Sequence, residues 1–359
     1  MSGTSLDGVD GVLLHTAAGA APRVLAHAAR PFPDALRQEL LALNSSGPDE
    51  IHRGAVAAQQ LAELYAAVVA DLLRASGLPA SAIRAVGAHG QTVRHRPERG
   101  YTVQLNAPAL LAERCGMTVV ADFRSRDVAA GGQGAPLVPA FHRAVFADPG
   151  ADVAVLNLGG FANLSLLFAD GRTLGFDTGP GNVLLDHWAQ QHLGQPFDAQ
   201  GAWAAGGAVL PDLLRVCLAD PYFARPAPKS TGRDAFHADW LSRQLARLPQ
   251  PPAPQDVQAT LAALTAQSVA EALQRAMPGV SRLLVCGGGA RNADLLRRLQ
   301  AALGAVPCSL SDTQGIPAEQ VEAAAFAWLA QQTLHGLPGN LPAVTGAAGP
   351  RVLGAIYPA

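Results

Sequence analysis

Asp177 is the residue of this sequence best placed to move a proton. It lies in GFDTGPGN, residues 175 to 182, where a short apolar run meets glycine turns. A carboxylate at such a strand end can reach a hydroxyl or a water as general base. The other reading is a helix N-cap or turn aspartate, the commoner role of the type. The glycine turns around it favour the first. GTSLDGVD, residues 3 to 10, sets small and hydroxyl residues at a turn with an acid: Gly3, Thr4, Ser5, Leu6, Asp7, Gly8, Val9 and Asp10. Backbone N–H groups there can approach phosphates while Asp7 or Asp10 faces a metal ion, unless the segment is simply a tight hairpin. NLGGFANLS at 157 to 165 repeats the theme with Gly159, Gly160 and the polar Asn163 and Ser165. CGGGARN at 286 to 292 places Gly287, Gly288, Gly289 and Asn292 between an apolar run and a helical one. Backbone without side chains accepts a flat aromatic base or a phosphate there, or serves close helix–sheet packing.

Chemistry of a second kind gathers around residues 89 to 127. GAHGQTVRHRP holds His89, Gln91 and His95, and VADFRSRD sets Asp122 and Asp127 about Arg124 and Arg126. The histidine spacing, without an acidic or cysteine partner close by, argues against a metal centre, so His89 reads as a polar cleft residue or a satisfied structural one. Glu322, in EQVEAAAFAWLA, either faces solvent or points into a cleft. Lys229 is the one lysine against 25 arginines, and RPAPKSTG lacks the glycine-rich approach of a P-loop. No G-x-G-x-x-G turn follows an apolar strand, and no H-R-D loop occurs, which removes the dinucleotide and protein-kinase frameworks.

These residues need elements to hold them. GVDGVLLH reads as a strand with RVLAHAARPF as its hairpin partner, and 48 to 76 carries apolar residues at helical spacing, for one or two helices. Short apolar runs ending in polar, glycine-containing loops follow at AIRAVGAHGQT and MTVVADFRSRD, an α/β arrangement in which ligands collect beyond the strand ends. VAVLNLGG, ANLSLLFADG and TLGFDTGPG restart the plan. Residues 182 to 276 are helical by pattern except at RPAPKSTGRDAF, where proline and glycine break it. SRLLVCGGGARNADLLRRLQ reads as strand, turn and helix, and the tail packs back on a lobe.

At 359 residues, with 49% hydrophobic and 15% charged content, the chain suits two globular domains. We divide it into 1–126 with about 342–359, carrying the first glycine turn, and 127–341, carrying the second and third and Asp177. A net charge of −2 with scattered basic residues favours a small-molecule partner over nucleic acid or an anionic membrane. Four widely spaced cysteines without a C-x-x-C pair suggest buried thiols in a reducing compartment, and the lack of a leader-like segment suggests a cytoplasmic protein.

In order along the chain, MSGTSLDGVD, GAHGQTVRH, VADFRSRDVAAGGQGAPLVPAFH, NLGGFANLS, GFDTGPGN, PKSTGR, VCGGGARN and GPRVLGAIYPA resemble the anhydro-N-acetylmuramic acid kinase family over residues 1 to 359. The resemblance implies a two-lobed, actin-like ATPase fold of hexokinase type: α/β, with duplicated mixed-sheet domains and a cleft between lobes that close on the ligands. It implies ATP with Mg2+, a homodimer, and 1,6-anhydro-N-acetylmuramate as substrate, opened by water and phosphorylated in peptidoglycan recycling. Asp177 matches the family's catalytic aspartate. Gly3 to Asp10 match its first phosphate segment, with Mg2+ near Asp7; Gly159, Gly160 and Asn163 match its second, and Gly287, Gly288, Gly289 and Asn292 its adenosine segment. His89, Gln91, Asp122, Arg124 and Glu322 are the substrate-side candidates, Arg124 as partner of the lactyl carboxylate. The family usually has a short strand before the first turn, where this sequence starts directly on it, so unpaired backbone is expected there. Rival readings are an ATP-independent glycoside hydrolase using Asp177 with Asp122 or Glu322, and a non-catalytic nucleotide-binding module.

Overall fold

The structure, a computed structural model, describes residues 1–359 other than 4, 5, 18–20, 228 and 233. The described chain forms two compact units, 1–145 with 320–359, and 146–319. The first unit begins with the antiparallel hairpin β1 (Gly8–His15) and β2 (Arg23–Pro31). A helix, Glu50–Ser76, crosses it with Ala57, Leu61, Tyr65, Val68 and Leu72 on one buried stripe, the three-to-four spacing that predicts a helix, and Gly77 ends it at φ 68°. One helix therefore fills the span where one or two are expected. It is long and apolar enough to cross a membrane by length and composition, but its stripe is committed to the core with Leu36, Leu40 and Leu111.

Three short strands follow a parallel and antiparallel order, β12–β6–β3: β3 (Val86–Ala88) beside β6 (Val119–Ala121), and β12 (Ala355–Tyr357) on the other side of β6. Between them lies a second hairpin, β4 (Gln91–Arg96) and β5 (Tyr101–Leu105). The strands of this unit thus lie in three small sheets. At its start, Asp10 N donates to Met1 O at 2.9 Å, so the first residues run beside β1.

The second unit has one five-stranded mixed sheet. β7 (Val153–Leu158), β8 (Phe161–Leu167) and β9 (Thr173–Pro180) form an antiparallel meander, and β10 (Arg282–Cys286) and β11 (Cys308–Leu310) extend it in parallel past β7. β7 reads VAVLNL and is buried almost throughout, as a central strand covered on both faces must be. The helix Pro254–Ala276 packs on β8 and β9 with fourteen buried residues, which is why its sequence shows no clean polar face.

The unit boundaries fall at 145/146 and 319/320 instead of 126/127 and 341/342. Two features tie the intervening segments to the first unit. Asp127, fully buried, accepts hydrogen bonds from Gly134 N (2.8 Å), Asn340 Nδ2 (2.6 Å) and Thr345 Oγ1 (2.7 Å). Phe326, from the helix Val321–Leu334, joins Val120, Phe123, Leu137 and Leu353 in one apolar cluster, so the tail does pack back on a unit.

Candidate active site

The second unit brings its polar residues together by strand register. Asn157 on β7 pairs with Asn163 on β8, and Asn163 pairs with Asp177 on β9, so the three side chains leave the same face of the sheet in a row. A bulge between Ala162 and Asn163 adjusts the register just before the row. Asn157 stood inside a motif read for its glycines, and only the register reveals its alignment with Asp177.

The glycine segments converge beside that row. Asn182 N donates to Gly159 O (2.9 Å) and Gly181 N to Gly160 O (3.0 Å), which folds the turn after β7 against the turn after β9. A Cβ at Gly181 would stand 2.4 Å from Gly159 O, one at Gly287 2.3 Å from Asn157 Oδ1, and one at Gly289 2.7 Å from Leu158 Cβ. These three are glycine because the backbone packs here. Gly160 and Gly288 differ: a Cβ on either meets nothing within 4 Å, so packing in the described chain does not require glycine there. Asn292 uses its side-chain oxygen as N-cap of the helix Ala293–Leu303, accepting from Leu295 N at 2.9 Å.

Asp177 is held from three directions. Its N–H donates to Lys229 O (2.9 Å), its carbonyl accepts from Tyr222 Oη (2.7 Å), and its Oδ2 accepts from Thr231 N (3.0 Å). Among the described residues Oδ1 accepts no hydrogen bond. Burial pushes the carboxyl above its ordinary value, and the Thr231 N–H opposes that rise. A carboxylate raised by desolvation is a stronger base than one in water. The residues 222 to 231 carry no signal in sequence for this, since most of the contacts are made by backbone.

In the first unit, Arg124 directs Nε and Nη2 at His89 Nε2 (3.1 and 2.9 Å) and Nη1 at Gly134 O (2.8 Å). Two donors aimed at Nε2 make that nitrogen the acceptor, which puts the histidine proton on Nδ1. Burial and the neighbouring guanidinium hold His89 well below the usual histidine range. Arg124 itself is lowered to about 10 by burial, with Glu322 and Asp127 acting to raise it. The His89 ring lies 4.4 Å from that of Phe326, one helical turn beyond Glu322, and Gln91 Nε2 donates to Gly3 O at 3.2 Å. His89, Gln91, Arg124, Glu322 and Gly3 thus form one cluster. Asp122 sits next to it at φ 59°, exposed, accepting from Ser125 Oγ at 2.5 Å.

The first turn divides. Leu6 and Val9 are buried in the core, and a Cβ on Gly8 would stand 2.2 Å from Arg30 O. Asp10 lies 3.4 Å from His27 across the hairpin, and Thr4 and Ser5 fall outside the described residues. Asp7 is exposed. It is a hard oxygen donor of the kind Mg2+ takes alongside phosphate oxygens, so the turn fits that ion; among the described residues no group of three or more His, Cys, Asp or Glu gathers.

A sequence profile described as anhydro-N-acetylmuramic acid kinase matches residues 1–359. Curated relatives of that name include one from Bordetella petrii, 62% identical over 100% of this chain and 95% of its own length. Others come from Variovorax paradoxus, 59% identical over 100% and 98%, and Cupriavidus pinatubonensis, 57% identical over 100% and 97%. Among solved structures, a ROK hexokinase from Thermus thermophilus is 15% identical and covers 90% of this chain and 100% of its own at a TM-score of 0.33. With profile and relatives both spanning the whole chain, the protein belongs to the anhydro-N-acetylmuramic acid kinase family.

Proposed function

We propose that this kinase transfers the γ-phosphoryl group of ATP to 1,6-anhydro-N-acetylmuramate while water opens the anhydro bridge, giving N-acetylmuramate 6-phosphate and ADP in peptidoglycan recycling. The observation that carries the reading is Asp177: a half-buried carboxylate held by backbone beside three converging glycine segments. Asp177 takes one proton from water; the water oxygen bonds to the anomeric carbon as the bond from that carbon to O6 breaks. The electron pair left on O6 attacks the γ-phosphorus, and ADP departs with the bridging oxygen. Asp177 later returns its proton to solvent, which balances the reaction.

Gly159 and Gly160 offer backbone N–H groups to the phosphates, with Gly287, Gly288 and Gly289 forming the adenosine side. Asn163, next to Asp177 in the row, is placed for the γ-phosphate or the water. Mg2+, when bound near Asp7, supplies charge neutralisation at the phosphates. In the first unit, Arg124 has three of its five N–H groups on His89 and Gly134 among the described residues, which leaves two for the lactyl carboxylate. Gln91 and Glu322 complete the sugar side, with Asp122 at its margin. The four cysteines are all thiols, which suits a cytoplasmic protein, and we expect a homodimer.

Mixing the protein with sugar, with and without ATP, tests the reading. Ring opening that requires ATP and yields one ADP per 6-phosphate formed is the expected result. Opening without ATP replaces it with the hydrolase reading, and nucleotide binding without turnover replaces it with a non-catalytic module.

A further inference from the structure

Lys229, the single lysine, is spent on backbone. Its Nζ donates to Tyr222 O (3.1 Å) and Phe223 O (3.4 Å) and lies 4.5 Å from the centre of the Tyr222 ring. Two of its three N–H groups thus hold the short helix Pro221–Ala224, whose Phe223 O also accepts from Arg275 Nη2 at 2.8 Å. That helix is itself anchored. Asp220 caps it at Tyr222 N (2.9 Å) and accepts from Trp240 Nε1 (2.9 Å), while Tyr222 and Phe223 pack on Phe236 with ring centres 5.4 and 5.5 Å away.

From this anchor, residues 229 to 231 run alongside β9. Lys229 O accepts the Asp177 N–H and, two residues on, the Thr231 N–H reaches Asp177 Oδ2. The Tyr222 hydroxyl closes the loop on Asp177 O. Among the described residues, the hydrogen bonds that fix Asp177 from outside its own strand pair therefore pass through the segment that Lys229 ties down or the helix it is tied to.

We propose that Lys229 is a positioning residue: it fixes the segment 229–231 on the anchored carbonyls, aims the Thr231 N–H at Oδ2 of Asp177, and so presents Oδ1 to the attacking water. This rests on Asp177 being the base. Among the described residues, the charged and titratable groups around the device are the cations Lys229, Arg225 and Arg275 with Tyr222 and Asp220, all in the second unit.

The test compares Lys229→Met, which keeps the stem and removes the cation, with Lys229→Arg, by kcat, both KM values and the pH dependence of kcat/KM. Lys229→Met lowers kcat roughly 10- to 100-fold with both KM values unchanged, as expected for a misaimed catalytic group. Its acid limb moves to higher pH, because the carboxylate loses the N–H that favours its charged form. Lys229→Arg restores the parent limb and most of the rate. Parent-like kcat and limb in a folded Lys229→Met overturn the proposal, as does a raised KM for ATP with kcat intact, which would make Lys229 a nucleotide contact. Should Lys229→Met fail to fold, Thr231→Pro decides: it removes the N–H that reaches Asp177 Oδ2, and a parent-like rate and limb in a folded Thr231→Pro overturn the proposal. An active Asp177→Asn would sink the base assignment instead, so the two failures are distinguishable.

Discussion

Gly160 and Gly288 stand apart from the other glycines near Asp177, because nothing in the described chain would meet a side chain on them. A glycine the fold does not need is explained by something else approaching its backbone. Gly160→Ala and Gly288→Ala should therefore keep or slightly raise the melting temperature, by the equivalent of about 0.4–1 kcal/mol, since alanine restricts the unfolded chain. Both should raise the KM for ATP. Gly287→Ala should instead lower the melting temperature, since Gly287 has φ 87° and a Cβ would collide with Asn157. A thermal melt and an ATP titration on each variant check the contrast; an unchanged KM in the first two would remove the nucleotide from this face. At this scale the sequence is informative where neighbours narrow the uses of a residue. The strand-end placement of Asp177 between glycine turns is such a case. The pairing of Arg124 with His89 is not, because 35 positions separate them and either could face solvent.

At the scale of elements, much of the positioning falls to backbone outside long helices and strands: the short helix Ser125–Ala129 with the turn at Gly134 in the first unit, and residues 229–231 in the second. In the first unit, Asp127 holds the Gly134 backbone while Arg124 donates to the Gly134 carbonyl, so one buried carboxylate sets the place of the guanidinium. Asp127→Ala strands two buried donors, Gly134 N and one N–H of Asn340 Nδ2, while Thr345 Oγ1 keeps Leu341 O as a second acceptor, and should cost about 2 kcal/mol or more at roughly 1–3 kcal/mol per stranded group. Denaturant unfolding measures this, and a loss below about 1 kcal/mol would mean water satisfies the site. Helices such as Glu50–Ser76 are legible because apolar spacing writes them into the sequence. The segment 225–237 is legible only as a break, by its prolines and glycine. Its grip on Asp177 is not legible, because the Lys229 carbonyl and the Thr231 N–H are groups that any residue would offer.

For the whole molecule, the α/β class follows from the alternation of strand and helix patterns and the two-unit plan from chain length, while the boundaries do not. The bonds of Asp127 to Asn340 and Thr345 span 213 and 218 positions and keep 127–145 with the first unit. That unit also buries two neutral histidines. His89 lies well below the usual range and His142 is lowered to about 3, both chiefly by burial. Between the unfolded value near 6.5 and the folded values, the unfolded chain binds the extra protons, so stability is full above about pH 6.5 and falls as pH drops, by about 1.4 kcal/mol per pH unit for each histidine. Asp177, raised in the fold, acts in the opposite sense over the carboxylate range. Melting temperatures from pH 7.5 to 5.5 should decline, and the decline should flatten in a His142→Gln variant that folds. An equal slope in both would assign the acid sensitivity elsewhere.

The central claim is that Asp177 is the base that couples ring opening to phosphoryl transfer. The most direct measurement follows phosphate from labelled ATP into 1,6-anhydro-N-acetylmuramate, comparing the parent with Asp177→Asn, which keeps the shape of the side chain and removes its basicity. The account predicts N-acetylmuramate 6-phosphate from the parent and a loss of at least about 100-fold in kcat for the variant, with sugar and ATP binding retained. Turnover by Asp177→Asn at the parent rate would contradict it.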